Sequence, residues 1–373
     1  DKLNFMVKDR TDFECVVVGA GILGLSVARS ISKRNKKVLV LEKNRRFGEE
    51  TSSRNSGVIH AGIYYPKKSL KSIFCVKGNS EIYSFAKKRG IHFNKCGKLI
   101  VANNPSEEKI LLKIKKNASK NGISLLYINN KKLKTIEPNL NCFSALYSET
   151  SGVIDSHDLM TNFVFDIESK KGELVFGCKV NTISIEKEKI KFSVNKNNFF
   201  TTKVLINCSG LESHLLAKKI KQLNKSLIPK INFVKGSYMK LTSKSPFKKL
   251  IYPVPTKNGL GIHSTLNIEG QTIFGPDDEI VKKIDYNVSE EKKEKFINSI
   301  KKFWPEISKD KITCDYSGIR TKVKKNDFII QDYNDHHLKG LINLFGMDSP
   351  GLTSSIPIGE YVANKCIYIL NNL

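Results

Sequence analysis

The chain has no Cys-X-X-Cys pair among its eight cysteines, no run of about 20 apolar residues and little arginine. Each shortage excludes something. Cys15, Cys75, Cys96, Cys142, Cys178, Cys208, Cys314 and Cys366 occur singly, most of them among Val, Ile and Leu. Neither a metal cluster nor a disulfide framework is expected from such a pattern, and a reducing cytosol fits it best. Without a long apolar run, nothing is expected to span a membrane. No basic n-region with an apolar h-region opens the chain, although a start on Asp1 gives that absence little weight. No low-complexity tract points to disorder.

Acidic residues are also outnumbered: 63 Lys and Arg against 36 Asp and Glu give a net charge of +27. A charge of that size invites nucleic acid or membrane as a partner. The excess is nearly all Lys, with only eight Arg, and it accompanies abundant Asn and Ile, as AT-rich codons would produce. The lysines are spread over expected helices and loops rather than gathered in one block. A nucleic-acid surface is therefore not expected. Peripheral attraction to anionic headgroups at the inner face of a membrane stays open, at about 1 kcal/mol per nearby Lys. The length of 373 residues suits one large or two interleaved domains.

What is present is clearest near the start. Glu14-Cys15-Val16-Val17-Val18 reads as a strand buried on both faces: short, β-branched and without alternation. Gly19-Ala20-Gly21-Ile22-Leu23-Gly24 follows, a helix continues from Leu25 to Arg34, and a second strand from Lys37 to Leu41 ends in Glu42. Gly19 permits the tight turn, Gly21 lets the backbone approach a pyrophosphate, and Gly24 allows close packing of helix on strand. The helix N-terminus offers N–H groups to phosphate, and Glu42 can accept from a ribose diol. A lone glycine motif is a weak signal, but this strand, helix and acid in order predict dinucleotide binding.

Thr51 to Tyr65 is rich in small polar residues and reads as a loop lining a cofactor. A helix is expected over Ser69 to Arg89, with Ser69 as N-cap and Gly90 as C-cap. Further expectations are a strand over Lys98 to Ala102, a helix over Ser106 to Lys120, and a helix after Gly152 capped by Ser156. An antiparallel meander should cover Glu173 to Phe200, and a buried strand Val204 to Cys208 should end at Ser209-Gly210. Residues 231–275 look strand-rich, and Ser289 to Phe303 looks like an amphipathic helix. Strand Leu341 to Phe345, a Gly/Ser/Pro loop and a helix from about Ser355 offer a second set of N–H groups to an anion.

These stretches resemble the D-amino-acid-oxidase-like flavoenzymes, and within them the L-2-hydroxyglutarate dehydrogenase/oxidase branch. The closest stretch is Asn55-Ser56-Gly57-Val58-Ile59-His60-Ala61-Gly62-Ile63-Tyr64-Tyr65. It is supported by Cys96 to Ala102, Ile251 to Pro255, Gly259 to His263 and Pro350 to Ile356. The resemblance implies a Rossmann-type FAD-binding domain, α/β and discontinuous, from residues 1–90, 150–230 and 317–373. An inserted α+β substrate domain with an antiparallel sheet would come from 91–149 and 231–316. Two departures stand out. Lys235-Gly236-Ser237-Tyr238 replaces the usual Arg-Gly-Glu/Asp-Tyr run, and the segment from Pro276 to Arg320 is short.

The resemblance also implies roles. Gly19, Gly21, Gly24, Glu42 and Lys43 would bind the ADP half of a non-covalent FAD, with Val180, Ser209 and Gly210 beside it. Ser53, Asn55 and Ser56 would reach the pyrophosphate or the ring. Gly351, Leu352 and Thr353 would face the ring edge that becomes negative on reduction, and Gly346 would also belong to the cofactor site. Arg320 matches the arginine that grips a substrate carboxylate, for which a planar fork is suited. His263 and His60 are both candidates for the base. Tyr65, Lys235, Lys98 and Arg54 are candidates for the rest of a dicarboxylate. Oxidation of a small 2-hydroxy acid is the expected reaction, with oxygen, a quinone or a carrier protein as acceptor. Amine or amino-acid oxidation and glycerol 3-phosphate oxidation are its rivals, and an RNA-modifying flavoprotein is a more distant one.

Overall fold

The computed structural model describes residues 11–255 and 261–372. Gly259 and Leu260 of the family-like stretch therefore lie outside the described residues.

The first sheet has five parallel strands in the order Glu173–Val175, Val38–Leu41, Phe13–Val18, Asn198–Asn207 and Leu341–Phe345. The β-branched run of Phe13–Val18 is explained by burial on both faces. Cys15 and Val17 pack beneath the helices Ile22–Ser32, Leu70–Arg89, Ser156–Ser169 and Ser355–Asn371. Val16 and Val18 pack beneath the hairpin Val180–Glu186 and Lys189–Val194 and the short helix Ser213–Lys218. The first and last helices cross closely at Ser26, whose hydroxyl donates to the Ser355 carbonyl at 2.7 Å. A Cβ on Gly359 would lie 2.3 Å from that hydroxyl oxygen, so a small residue is required there. The same helical layer buries Arg29, which is paired to Asp166 at 2.6 Å. Removing Asp166 would strand the buried Arg29 charge, at a cost of about 3–5 kcal/mol, whereas Asp166 would keep a second cation in Arg89 if Arg29 were lost.

The second sheet has nine strands. Lys98–Ala102 joins its halves, pairing antiparallel with Ser144–Ser148 and parallel with Leu250–Pro253. His263–Leu266, Thr272–Gly275, Ile231–Leu241 and Glu279–Val281 continue the order, and Ile312–Val323 pairs along Ile231–Leu241. Ile312–Val323 crosses the expected domain boundary at 316/317, so one strand carries the chain from one sheet towards the other.

Several local expectations match. Ser69 caps Leu70–Arg89 by accepting from the Ser72 N–H, and Gly90 ends it in the left-handed region at φ 69°. Others need correction. The helix Ser156–Ser169 is capped by Asp155, whose carboxylate accepts from His157 and Asp158 N–H groups, whereas Ser156 is already helical. Glu173–Val175 does not belong to the meander but pairs parallel with Val38–Leu41. The expected helix over Ser289 to Phe303 is α-helical over Lys293–Ile300, after a 3₁₀ turn at Glu290–Lys292. It ends where buried Phe303 and Trp304 pull the chain into the core.

Candidate active site

An open cleft lies at the C-terminal end of Phe13–Val18. Its floor is the glycine turn. Gly19 has φ +106°, and a Cβ on it would fall 2.5 Å from the Cys208 carbonyl oxygen. A Cβ on Gly24 would fall 1.9 Å from the Gly19 oxygen, so helix and turn can approach only with hydrogen at that position. Gly21 begins the helix without a side-chain cap. Buried Glu42 accepts from the Ala20 N–H at 2.8 Å through one oxygen and the Asn44 N–H at 2.9 Å through the other. Each oxygen keeps a lone pair for a ribose hydroxyl. Lys43, Val180, Ser209 and Gly210 line the same cleft. Lys43 is paired to Glu50 at 2.8 Å and Glu212 at 2.9 Å.

The polar loop shows which serine matters here. Ser53 is exposed and points back to the Glu50 carbonyl at 3.3 Å, whereas Ser52 lines the cleft and accepts from the Ile22 N–H at 2.9 Å. Asn55 closes the loop, donating to the Ser52 carbonyl at 2.6 Å and accepting from the Gly57 N–H at 2.8 Å. Ser56 bonds to Tyr238. A helix start with glycine at its N-cap, a turn that excludes any Cβ and a carboxylate with spare lone pairs together fit the ADP half of a dinucleotide.

The loop before the last helix meets the His60 stretch. Thr353 accepts from the His60 N–H at 3.0 Å, and a Cβ on Gly78 would lie 2.1 Å from the Thr353 oxygen. Gly346 turns this loop at φ 65°, and Gly351 and Leu352 precede Thr353 within it. Asp348 anchors it through a buried ion pair with Lys71 at 2.6 Å. His60 Nε2 lies 3.3 Å from Ser349 Oγ, and Tyr65 bonds to the same serine.

Beyond this loop lies a cluster of buried side chains. His263 is buried and stacks on Tyr252, with ring centroids 3.6 Å apart and 9° between planes. Lys98 is 1% exposed and lies 3.9 Å above the Tyr252 ring. Burial, then Lys98, His60 and Arg320, hold His263 well below the ordinary value of 6.5. His60 is held well below it too, by burial and then Lys98. Both rings are therefore neutral at pH 7 and able to accept a proton. Lys98 itself is lowered to about 7, chiefly by burial. Arg320 donates to Asp278 at 2.6 Å and to the Asp277 carbonyl at 3.1 Å.

The expected substrate residues are thus separated. His60, His263, Lys98 and Arg320 interact electrostatically, and Tyr65 joins His60 through Ser349. Lys235 is not brought to them. It precedes Gly236, which faces Arg320, and strand alternation turns it to the opposite side, where it pairs with Asp285 at 2.6 Å. Sequence reasoning missed Ser52, one residue from Ser53, and Tyr252, although Tyr252 lies in a family-like stretch. The stacked rings of Tyr238 and Tyr316, 4.5 Å apart beside Arg320, were also missed.

The chain matches the family described as DAO, FAD dependent oxidoreductase, over residues 14–365. It is 36% identical over 408 residues to an L-2-hydroxyglutarate dehydrogenase, mitochondrial, of Arabidopsis thaliana, covering 96% of this chain and 84% of that protein. It is 29% identical to a glycerol 3-phosphate dehydrogenase of Caloramator mitchellensis, covering 97% and 74%. Its fold matches that of the L-alpha-glycerophosphate oxidase of Mycoplasma pneumoniae with FAD bound, at TM-score 0.86 and 24% identity, over 96% and 94% of the two chains. Among the described residues no helix is long and apolar enough to cross a membrane. The match over nearly the whole length places this chain in the DAO family of FAD-dependent oxidoreductases.

Proposed function

We propose that this enzyme oxidises a small 2-hydroxy acid to the 2-oxo acid, with L-2-hydroxyglutarate as substrate and 2-oxoglutarate as product. The observation that carries this reading is the convergence of two neutral histidines and an arginine beside the loop that ends at Thr353. The name of the Arabidopsis relative supports the choice of substrate.

FAD, when bound, supplies the acceptor for the two electrons and the hydrogen that leave the substrate Cα. Glu42 and the glycine turn would hold its ADP half, and the backbone of Gly351, Leu352 and Thr353 would receive its ring. Arg320 holds the α-carboxylate as a fork, taking it in place of the Asp278 carboxylate. His263 accepts the hydroxyl proton as the C–O bond becomes a carbonyl. Burial is the main cause of its low basicity, and carboxylates on Arg320 and Lys98 would offset two of the smaller contributions, the charges that also depress it. His60 orients the reacting group through Ser349 and is the alternative base.

Anaerobic bleaching of the yellow protein by a panel of acids tests this reading. L-2-hydroxyglutarate should bleach it, and glycine, sarcosine and glycerol 3-phosphate should not. Acid precipitation should release the colour into the supernatant, because the cofactor is held non-covalently. Colour retained in the pellet would place a covalent link, with His60 the first residue to examine.

A further inference from the structure

The three cations that could meet the far end of a dicarboxylate differ in how they are already paired. Lys235 is bound to Asp285 at 2.6 Å. Arg54 lies 3.9 Å over the Tyr286 ring and donates to the Ser317 carbonyl at 3.4 Å. Among the described residues, Lys98 has no acidic partner, and the groups that act on it are the thiols of Cys75 and Cys96. It is also the deepest of the three, at 1% exposure, on the strand that joins the two halves of the second sheet. An ammonium at that depth without an anion is costly, and the face of one tyrosine ring offsets only a small part of the cost. That ring belongs to Tyr252, and His263 stacks on its other face, so Lys98 lies one ring's thickness beyond the imidazole, where the remote end of a substrate held at His263 would reach.

On the reading that the substrate is a 2-hydroxy dicarboxylate, we propose that Lys98 is the specificity residue, binding the carboxylate remote from the reacting carbon while Arg320 holds the near one. Before substrate binds, Lys98 is a partly neutral amine, and an arriving carboxylate restores its charge. Dicarboxylates bind together with a proton and monocarboxylates do not.

The groups around Lys98 leave it as the one that titrates near neutrality. Burial pushes the Cys75 thiol up to about 12 and raises Cys96 as well. Burial raises Tyr64 and Tyr252 and lowers both His60 and His263. Lys98 stands at about 7. Dicarboxylate affinity should therefore weaken above about pH 7, approaching tenfold per pH unit, while monocarboxylate affinity changes little.

The test uses the FAD-loaded enzyme and two inert acids, glutarate and butyrate, titrated through the flavin absorbance across pH. Lys98→Met should weaken glutarate about 10- to 150-fold, remove its alkaline limb, and leave butyrate within a few-fold. Equal losses for the two acids, or an alkaline limb that survives in Lys98→Met, would overturn the proposal. Should that variant fail to retain FAD, the wild-type enzyme decides. Calorimetric titrations at pH 8 in two buffers of different ionisation enthalpy should show close to one more proton taken up with glutarate than with butyrate, and equal uptake would refute it. If glycine bleaches the flavin and L-2-hydroxyglutarate does not, while glutarate keeps its Lys98-dependent limb, the oxidation assigned above fails and the role of Lys98 stands. If L-2-hydroxyglutarate is oxidised with no Lys98 dependence in these titrations, the reverse holds.

Discussion

The two ends of the site are built from opposite materials. The cleft end is mostly backbone: a glycine turn, a helix start with glycine at its N-cap and one carboxylate held by two N–H groups. Its cation Lys43 is already neutralised by Glu50 and Glu212. The proposed substrate end is side chain: Lys98, His263, His60 and Arg320, which come from four separate segments. Its charges are incompletely matched, and Lys98 and both histidines are pushed towards their neutral forms. The cleft is therefore preorganised before a ligand arrives, while the electrostatics of the substrate end are completed by what binds there.

If the ends are separable, the largest effect should appear at the base. His263→Ala should slow anaerobic flavin reduction by about 10²–10⁴-fold with FAD content unchanged. A slow phenotype from His60→Ala instead would exchange the two roles. Because the free-enzyme histidine lies below 6.5, its base form persists into acid, and the acid limb of wild-type kcat/KM should fall well below pH 6.5. An acid limb at or above 6.5 would remove a buried histidine as the base.

Arg320→Lys should come next. It keeps the charge and loses the fork, which should weaken substrate affinity by about 1.5–3 kcal/mol, read from KM, without changing FAD content. Asp278→Asn should act in the opposite direction. Asp278 competes with the substrate carboxylate for Arg320 across a half-buried pair, so its loss should lower KM by about two- to fivefold, in line with less than ~1 kcal/mol for such a pair. A higher KM would mean that Asp278 orients Arg320 rather than competing with the substrate.

The smallest effects sharpen the cleft itself. Ser52→Ala removes the acceptor of the Ile22 N–H and should weaken FAD retention by about 1 kcal/mol. Ser53→Ala should change nothing measurable, and an equal loss from both would blur the distinction drawn between them.

These contrasts also mark how far the sequence could be read. The cleft was legible because turn, helix and acid follow one another within about 30 residues, and the chemistry of each is local. Ser69 and Gly90 were legible for the same reason. Ser156 and Ser53 were each displaced by one position, to Asp155 and Ser52, because composition names a loop but not the direction of its side chains. The cations were harder still. Lys98 and Lys235 look equivalent in the chain, and only strand register and the position of Asp285 set them apart. The pairing of Arg320 with Asp278, 42 residues away, leaves no local mark.

The central claim is the chemistry of one turnover. Anaerobic mixing of L-2-hydroxyglutarate with the purified yellow enzyme, followed by assay of the products, tests it most directly. One 2-oxoglutarate should form for each flavin bleached. A flavin that stays yellow with L-2-hydroxyglutarate but bleaches with glycine, sarcosine or glycerol 3-phosphate would contradict it.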